Sequence, residues 1–349
     1  MNSQEAETSA PVARSRRGNL FLNRKLWGIL LALGLIGVVA IKAYRLGLND
    51  APRLVFPEEV VFAQANDDVI DGGVLYTPSP KLKKQVAVIW IHGWGVNFYS
   101  PSYVWIGRAL AERGYACITG NTRMHDLGNV ELYRGDKRIR GGGYWGIASE
   151  EVRDIAAWID LAESRGYKHV VLVGHSAGWA AVRLYQSQIQ DSRVVGIVCA
   201  SGGVKAGGTT SSDSDELRQA KADLAKGEGD ALHRIPKKDF PSYISADTYL
   251  DIVNSPPDQR DFFGTEAGTT HPGVSKIRCP LLAFYGTFSD VGDEKELALL
   301  KESIKKQPTG PSRVDTLLIN HSDHMYLGQE QQVADVISKW VDSIAVSKS

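Results

Sequence analysis

From residue 86 onward, short and wholly apolar runs recur along the chain at 86–91, 116–119, 170–173, 194–200, 281–285 and 316–319. A strand with one face in water alternates apolar and polar residues. A run without polar positions is buried on both faces, as in a parallel sheet covered by helices. Helical segments are expected between these runs, at 102–113, 149–165, 178–188 and 329–346. The alternation predicts a β/α architecture with right-handed crossovers. Upstream, 60–63 and 69–76 flank a polar turn and predict an antiparallel hairpin.

The rhythm breaks between 201 and 278. This stretch opens glycine- and serine-rich, continues with a charged helix candidate at 215–226 and ends in loops containing Pro256 and Pro257. A connection this long is expected to be a lid over a site, or else a disordered insertion.

Residues 26–41 form an uncharged run of 16 positions, followed by Lys42, Ala43 and Tyr44. A membrane span needs about 20 apolar residues, with a lower limit near 17. Lys42 can snorkel, and Trp27 and Tyr44 suit the two interfaces. The expectation is a polar basic tail over 1–25, a transmembrane anchor over 26–44, a linker over 45–58 and a catalytic domain over 59–349. A cleaved signal peptide and a buried core helix are the alternatives; Ser15-Arg16-Arg17 resembles a twin-arginine signal, except for Asn19. Five positive residues precede the run, so the N-terminus is expected in the cytoplasm and the rest on the periplasmic or extracytoplasmic side.

Composition refines this picture. The 349 residues carry 40 basic and 40 acidic side chains. That neutrality is segregated: residues 1–45 carry +5 and the remainder −5. It offers nothing to a nucleic acid. Cys117, Cys199 and Cys279 lie far apart and form no CxxC pair, so neither a disulfide framework nor a zinc site is expected.

The chemistry centres on residues 170–179, VVLVGHSAGW, which hold a G-x-S-x-G motif between an apolar run and a helical segment. A strand that turns sharply into a helix needs small residues on both sides of a nucleophile. The turn lifts the Ser176 hydroxyl, and the helix N-terminus aims N–H groups at developing negative charge. Serine needs a base. His324 follows the last apolar run, on the edge where Ser176 sits; His321 is the rival. The orienting carboxylate is expected from Asp290, after the 281–285 run and Gly286, with Asp293 as the alternative. At 92–95 the chain reads HGWG after another apolar run, so the N–H groups of Trp94 and Ala177 are expected to form an oxyanion hole.

With these motifs, the chain from about residue 58 to its end resembles the α/β-hydrolase superfamily, in its serine esterase branch. The resemblance rests on the HG turn, the GHSAG elbow, a late-strand aspartate and a terminal histidine, in the order Ser176, Asp290, His324. It implies an α/β-hydrolase fold: a mostly parallel eight-stranded sheet flanked by helices, with a lid after the sixth strand. It also implies hydrolysis of carboxylic esters, thioesters or amides of a small molecule, without cofactor or metal. Two departures stand out. Ser289 occupies the position three after Gly286 where the acid often lies, and HGWG is not the HGGG of some lipases. Peptidase and carbon–carbon bond hydrolase activities remain open alternatives, as does a non-catalytic binding protein of the same fold.

Three further features are open. Asn121-Thr-Arg123-Met-His125 resembles a stretch found at this place in some relatives; otherwise it reads as a surface loop braced by an Arg123–Asp126 pair. The glycine-rich stretch 141–146 is expected to be a mobile loop. Trp94, Trp145 and Trp179 line either an apolar pocket or the core.

Overall fold

The computed structural model describes residues 57–204, 214–235, 242–289 and 291–344. The expected tail and anchor over 1–44 lie outside them, as does nearly all of the expected linker. Among the described residues, no helix is long and apolar enough to cross a membrane.

The wholly apolar runs form six adjacent parallel strands. In spatial order they are β12 (Val314–Ile319), β11 (Leu281–Gly286), β8 (Val194–Ala200), β7 (His169–His175), β3 (Val86–Ile91) and β4 (Ala116–Gly120). All six residues of β3 are buried. The pleat sends Ala87, Ile89 and Ile91 to one face and Val86, Val88 and Trp90 to the other. The first face is covered by the helices Glu151–Ser164, Gly178–Ile189 and Glu294–Lys305, and the second by Pro101–Glu112 and Glu330–Ser343.

Beyond β4 the sheet turns antiparallel. β2 (Val69–Tyr76) pairs with β4 and with β1 (Glu58–Gln64), giving the expected N-terminal hairpin. Among the described residues the sheet has ten strands rather than the expected eight, because β5 (Asn129–Arg134) and β6 (Lys137–Gly141) add a hairpin to its edge through β2. Their sequences are mostly polar, and only Leu132 and Gly141 are buried, so they lack the apolar signal of the central strands.

The expected lid at 201–278 divides in two. The helix Asp215–Lys226, the hairpin of β9 (Leu232–Ile235) with β10 (Ser242–Ser245), and the helix Ala246–Val253 enclose a small apolar cluster. That cluster comprises Ala220, Ile244, Ala246, Tyr249 and Leu250. The later part does not belong to such an insertion: Phe262, Phe263, Val274 and Ile277 are buried in the main core. The insertion with its own core therefore ends near residue 254.

Candidate active site

Ser176 lies between the end of β7 and the helix Gly178–Ile189, with φ at 54°. This left-handed conformation is uncommon for a residue with a side chain and marks a strained turn. Both motif glycines are demanded by packing. A Cβ on Gly174 would stand 2.5 Å from Trp179 Cα and 2.6 Å from the Gly178 carbonyl oxygen. A Cβ on Gly178 would collide with the carbonyl of His92 at the end of β3. The Ser176 N–H donates to the Ala200 carbonyl at 2.9 Å, tying the turn to β8. His175 is buried, Ser176 half-buried and Ala177, at the helix N-cap, exposed.

The HG turn passes directly against this elbow. A Cβ on Gly93 would stand 3.0 Å from Ser176 Cβ and 3.3 Å from His175 Nδ1. Trp94 and Ala177 each follow, by one residue, one of these two contacting turns. His92 is a brace: its Nδ1–H donates to the Gly93 carbonyl at 2.8 Å, and its Nε2 accepts the Thr122 N–H at 3.1 Å. Burial pushes this imidazole down to about 4, so it is neutral in the physiological range. The Thr122 hydroxyl donates onward to Glu151 Oε1 at 2.7 Å. Burial, with Asp154 nearby, pushes Glu151 up to about 8.

Of the two candidate bases, His324 is the one brought to the elbow. Its ring centroid stands 4.9 Å from that of His175, and its carbonyl accepts the His175 Nε2–H at 2.9 Å. His321 is exposed, with its ring 6.0 Å from that of Phe288 and its N–H bonded to Thr287 Oγ1 at 2.9 Å. Asp290 lies outside the described residues. Asp293 caps the helix Glu294–Lys305, its carboxylate accepting from the N–H groups of Lys295 and Glu296. The turn after β11 is held to the histidine loop by Phe288 N–H on the Ser322 carbonyl at 2.8 Å and Thr287 N–H on the Ile319 carbonyl at 3.0 Å. Gly286 is required there, because a Cβ would collide with the Ser322 carbonyl.

Several residues at the site gave no local signal in the sequence. Tyr326 is buried beneath the histidine loop and bonds Ser201 Oγ at 2.6 Å, anchoring that loop to the end of β8. Tyr103 reaches His175 from the helix Pro101–Glu112. The Arg123–Asp126 brace does not form. Arg123 is buried and pairs with Asp154 at 2.7 Å, Asp67 at 3.0 Å and Glu150. Asp126 instead takes hydrogen bonds from Asn97 at 2.7 Å and His125 at 2.8 Å. A guanidinium in the interior needs close carboxylates, and these come from β1–β2 and the helix Glu151–Ser164 with its preceding turn. The 141–146 stretch is not an open loop; it closes β6 and forms a helical turn over Gly142–Trp145.

The tryptophans are packing residues. Trp179 is buried and stacks on Phe263. The Trp145 Nε1–H donates to the Asp230 carbonyl at 3.0 Å. Trp94 packs into the apolar cluster of the 215–253 insertion, with its ring against Gly143. Two cavities, of about 600 and 390 Å³, lie elsewhere, one along 298–314 and one between Phe62 and Tyr133. Among the described residues no cluster of three His, Cys, Asp or Glu side chains is arranged to hold a metal ion.

The fold accords with known proteins. The model of a family described as the alpha/beta hydrolase family matches residues 88–336. Among solved structures, the esterase domain of a Rhodothermus marinus protein is 15% identical with a TM-score of 0.51, covering 83% of this chain and 100% of its own. Est1E from Butyrivibrio proteoclasticus is 13% identical with a TM-score of 0.54, covering 82% and 98%. A hypothetical protein from Pseudomonas aeruginosa is 12% identical with a TM-score of 0.61, covering 85% and 96%. No curated protein matches the chain. At these identities the structural likeness establishes the fold, and the family model spans most of the sequence: the chain belongs to the alpha/beta hydrolase family.

Proposed function

We propose that the chain is a serine hydrolase that cleaves a carboxylic ester of a small molecule through an acyl-enzyme. The observation that carries this reading is the strained elbow at Ser176, with φ at 54°, packed against Gly93 on one side and next to the His175–His324 contact on the other. Ser176 attacks the carbonyl while His324 takes its proton, and Asp290 orients the imidazole. The N–H groups of Trp94 and Ala177 hold the oxyanion, each such donor being commonly worth about 3 kcal/mol. His324 then activates water, which releases the acid and regenerates the serine.

The 215–253 insertion acts in this proposal as a cap that shapes the acyl and alcohol pockets. The packing of Trp94 into its apolar cluster supports that role. The reading of 26–44 as an anchor, with the hydrolase on the extracytoplasmic side, belongs to the same proposal; extraction of the protein by a carbonate wash of membranes would refute it.

The central test is labelling with a fluorophosphonate probe together with turnover of p-nitrophenyl acetate. Wild type is expected to label and to turn over, and Ser176→Ala to do neither. Loss of turnover in His324→Ala but not in His321→Ala supports the assigned base, and the reverse pattern exchanges them. A wild-type chain that neither labels nor turns over any of a graded series of esters sinks the hydrolase reading.

A further inference from the structure

His175 sits one residue before the nucleophile, yet its side chain faces into the protein. Its ring is 1 % exposed and enclosed by those of Trp90, Tyr103, Tyr326 and His324, at centroid distances of 6.1, 5.4, 5.4 and 4.9 Å. A histidine placed there only to fill space would leave two ring nitrogens without partners, at a cost of several kcal/mol by transfer estimates. Both nitrogens are bonded instead. Nε2 lies 2.9 Å from the His324 carbonyl oxygen, and Nδ1 lies 2.6 Å from the Tyr103 hydroxyl.

The chemistry of the partners sets the direction of each bond. A carbonyl oxygen only accepts, so Nε2 carries the proton. Nδ1 of the neutral ring is then an acceptor, and the Tyr103 hydroxyl donates to it. The hydroxyl oxygen in turn accepts the Gly93 N–H at 3.2 Å. Protons therefore point one way along Gly93 N–H, Tyr103 O–H, His175 Nε2–H and the His324 carbonyl. Burial keeps the imidazole neutral, down to about 3, which preserves this tautomer at neutral pH.

We infer that His175 and Tyr103 are positioning residues that hold the main chain of His324 in register with the HG turn at Gly93. The inference rests on the reading of Ser176 and His324 as nucleophile and base. Under that reading, the two sides of the reaction centre are separate loops. One follows β3 and supplies an oxyanion donor; the other follows β12 and supplies the base. They are joined by hydrogen bonds beneath Ser176, through a side chain adjacent to it in sequence. Neither His175 nor Tyr103 exchanges a proton with the substrate. Each acts through the backbone of its neighbour, and bonds in such a buried chain polarise one another.

The inference is tested in the full chain by the rate of fluorophosphonate labelling and by kcat and KM for p-nitrophenyl acetate. His175→Asn keeps an acceptor near the Tyr103 hydroxyl but withdraws the donor from His324. Labelling and kcat are expected to fall about 30-fold, in the range that displacement of a catalytic group by about 1 Å produces, with KM changed less than about 3-fold. His175→Gln carries an amide N–H to the Nε2 position and is expected to recover to within about 5-fold of wild type. Tyr103→Phe keeps the ring and removes only the hydroxyl, a second variant that leaves His175 itself in place. It is expected to label about 10-fold more slowly. Val171→Ala, in the same strand, measures general loosening and is expected to label as wild type does. Equal labelling of wild type, His175→Asn and Tyr103→Phe, with His324→Ala inert, overturns the positioning role and leaves the hydrolase reading standing. Equal losses in His175→Asn, His175→Gln and Val171→Ala also overturn it, because packing then accounts for the effect. An unlabelled wild type overturns both readings.

Discussion

Gly178 packs directly on the main chain of His92: a Cβ there would collide with the His92 carbonyl oxygen and stand 2.8 Å from that of Ile91. The second glycine of the G-x-S-x-G motif is thus fixed by the approach of the elbow helix to β3. Gly178→Ala gains roughly 1 kcal/mol of helix propensity. It forces an atom into backbone that cannot rotate away, and overpacking of this kind costs about 1–3 kcal/mol or more. The expected net result is lower stability in urea unfolding, with loss of any labelling at Ser176. Gly203→Ala is the comparison, since a Cβ at Gly203 meets no atom within 4 Å and is expected to change stability by less than about 0.5 kcal/mol. Equal stabilities of the two variants would remove this reason for the glycine.

The central strands and the elbow were legible because burial on both faces writes itself into composition. The VAVIWI run of β3 has no polar position because neither of its faces meets water. The hairpin of β5 and β6 leaves no such trace for the opposite reason: as an edge hairpin it buries only Leu132 and Gly141. Asp293 did carry a local sign of its role. With Glu296 three residues on, at the start of an amphipathic stretch, it has the form of a helix start, and the structure uses it so. Local spacing offers Arg123 a partner in Asp126, three residues away, but its partners Asp67 and Asp154 lie 56 and 31 residues distant. The contact of Tyr103 with His175 spans 72 residues. No period or spacing encodes such pairs; only the packed fold creates them.

Two neutral, buried histidines contribute to the response of stability to acid. His92 and His175 are held down to about 4 and about 3 from an ordinary 6.5. In both, the folded state favours the uncharged ring, so the stability they contribute is present above 6.5 and is lost as the pH falls toward those lower values. Between about pH 5.5 and 4.5 the unfolded chain binds up to two protons that the native chain refuses. Each is worth about 1 kcal/mol per pH unit. Buried Glu151 opposes this slope in the same window, so the test is a difference: in urea unfolding at several pH values, His92→Asn, which keeps a donor near the Gly93 carbonyl, should change the slope relative to wild type by about 1 kcal/mol per pH unit. An unchanged slope in that variant would assign the acid sensitivity to other groups.

Glu151 is expected to act in the other direction. Burial, followed by its neighbour Asp154, raises it from 4.5 to about 8 despite the hydrogen bond from Thr122 and the nearby Arg123. The folded state therefore favours the protonated acid. Its contribution is complete below about 4.5 and declines as the pH rises through 8. Glu151→Gln is uncharged at every pH, and its carbonyl oxygen still accepts the Thr122 hydroxyl. It is expected to match wild type near pH 4 and to melt at progressively higher temperature than wild type from pH 6 to pH 9. A constant difference across that range would mean that Glu151 does not titrate in this window.

Trp94 joins the HG turn to the 215–253 insertion. Its ring packs on the apolar cluster of that insertion, and Gly143 lies so close that a Cβ there would stand 2.9 Å from the indole. The main chain proposed to bind the oxyanion is therefore continuous with a side chain that the insertion holds. Trp94→Ala removes the largest ring from a small cluster and is expected to cost on the order of 3 kcal/mol, felt within the insertion. Hydrogen exchange should accelerate in the helices Asp215–Lys226 and Ala246–Val253, while the helix Gly178–Ile189 keeps its protection. The N–H of residue 94 survives the substitution, so any fall in kcat measures its loss of alignment rather than loss of the donor. A reduction of about 10-fold is expected, with partial recovery in Trp94→Phe. Faster exchange throughout the sheet would show that Trp94 supports the whole fold. Faster exchange in the insertion with unchanged kcat would separate the insertion from the oxyanion site.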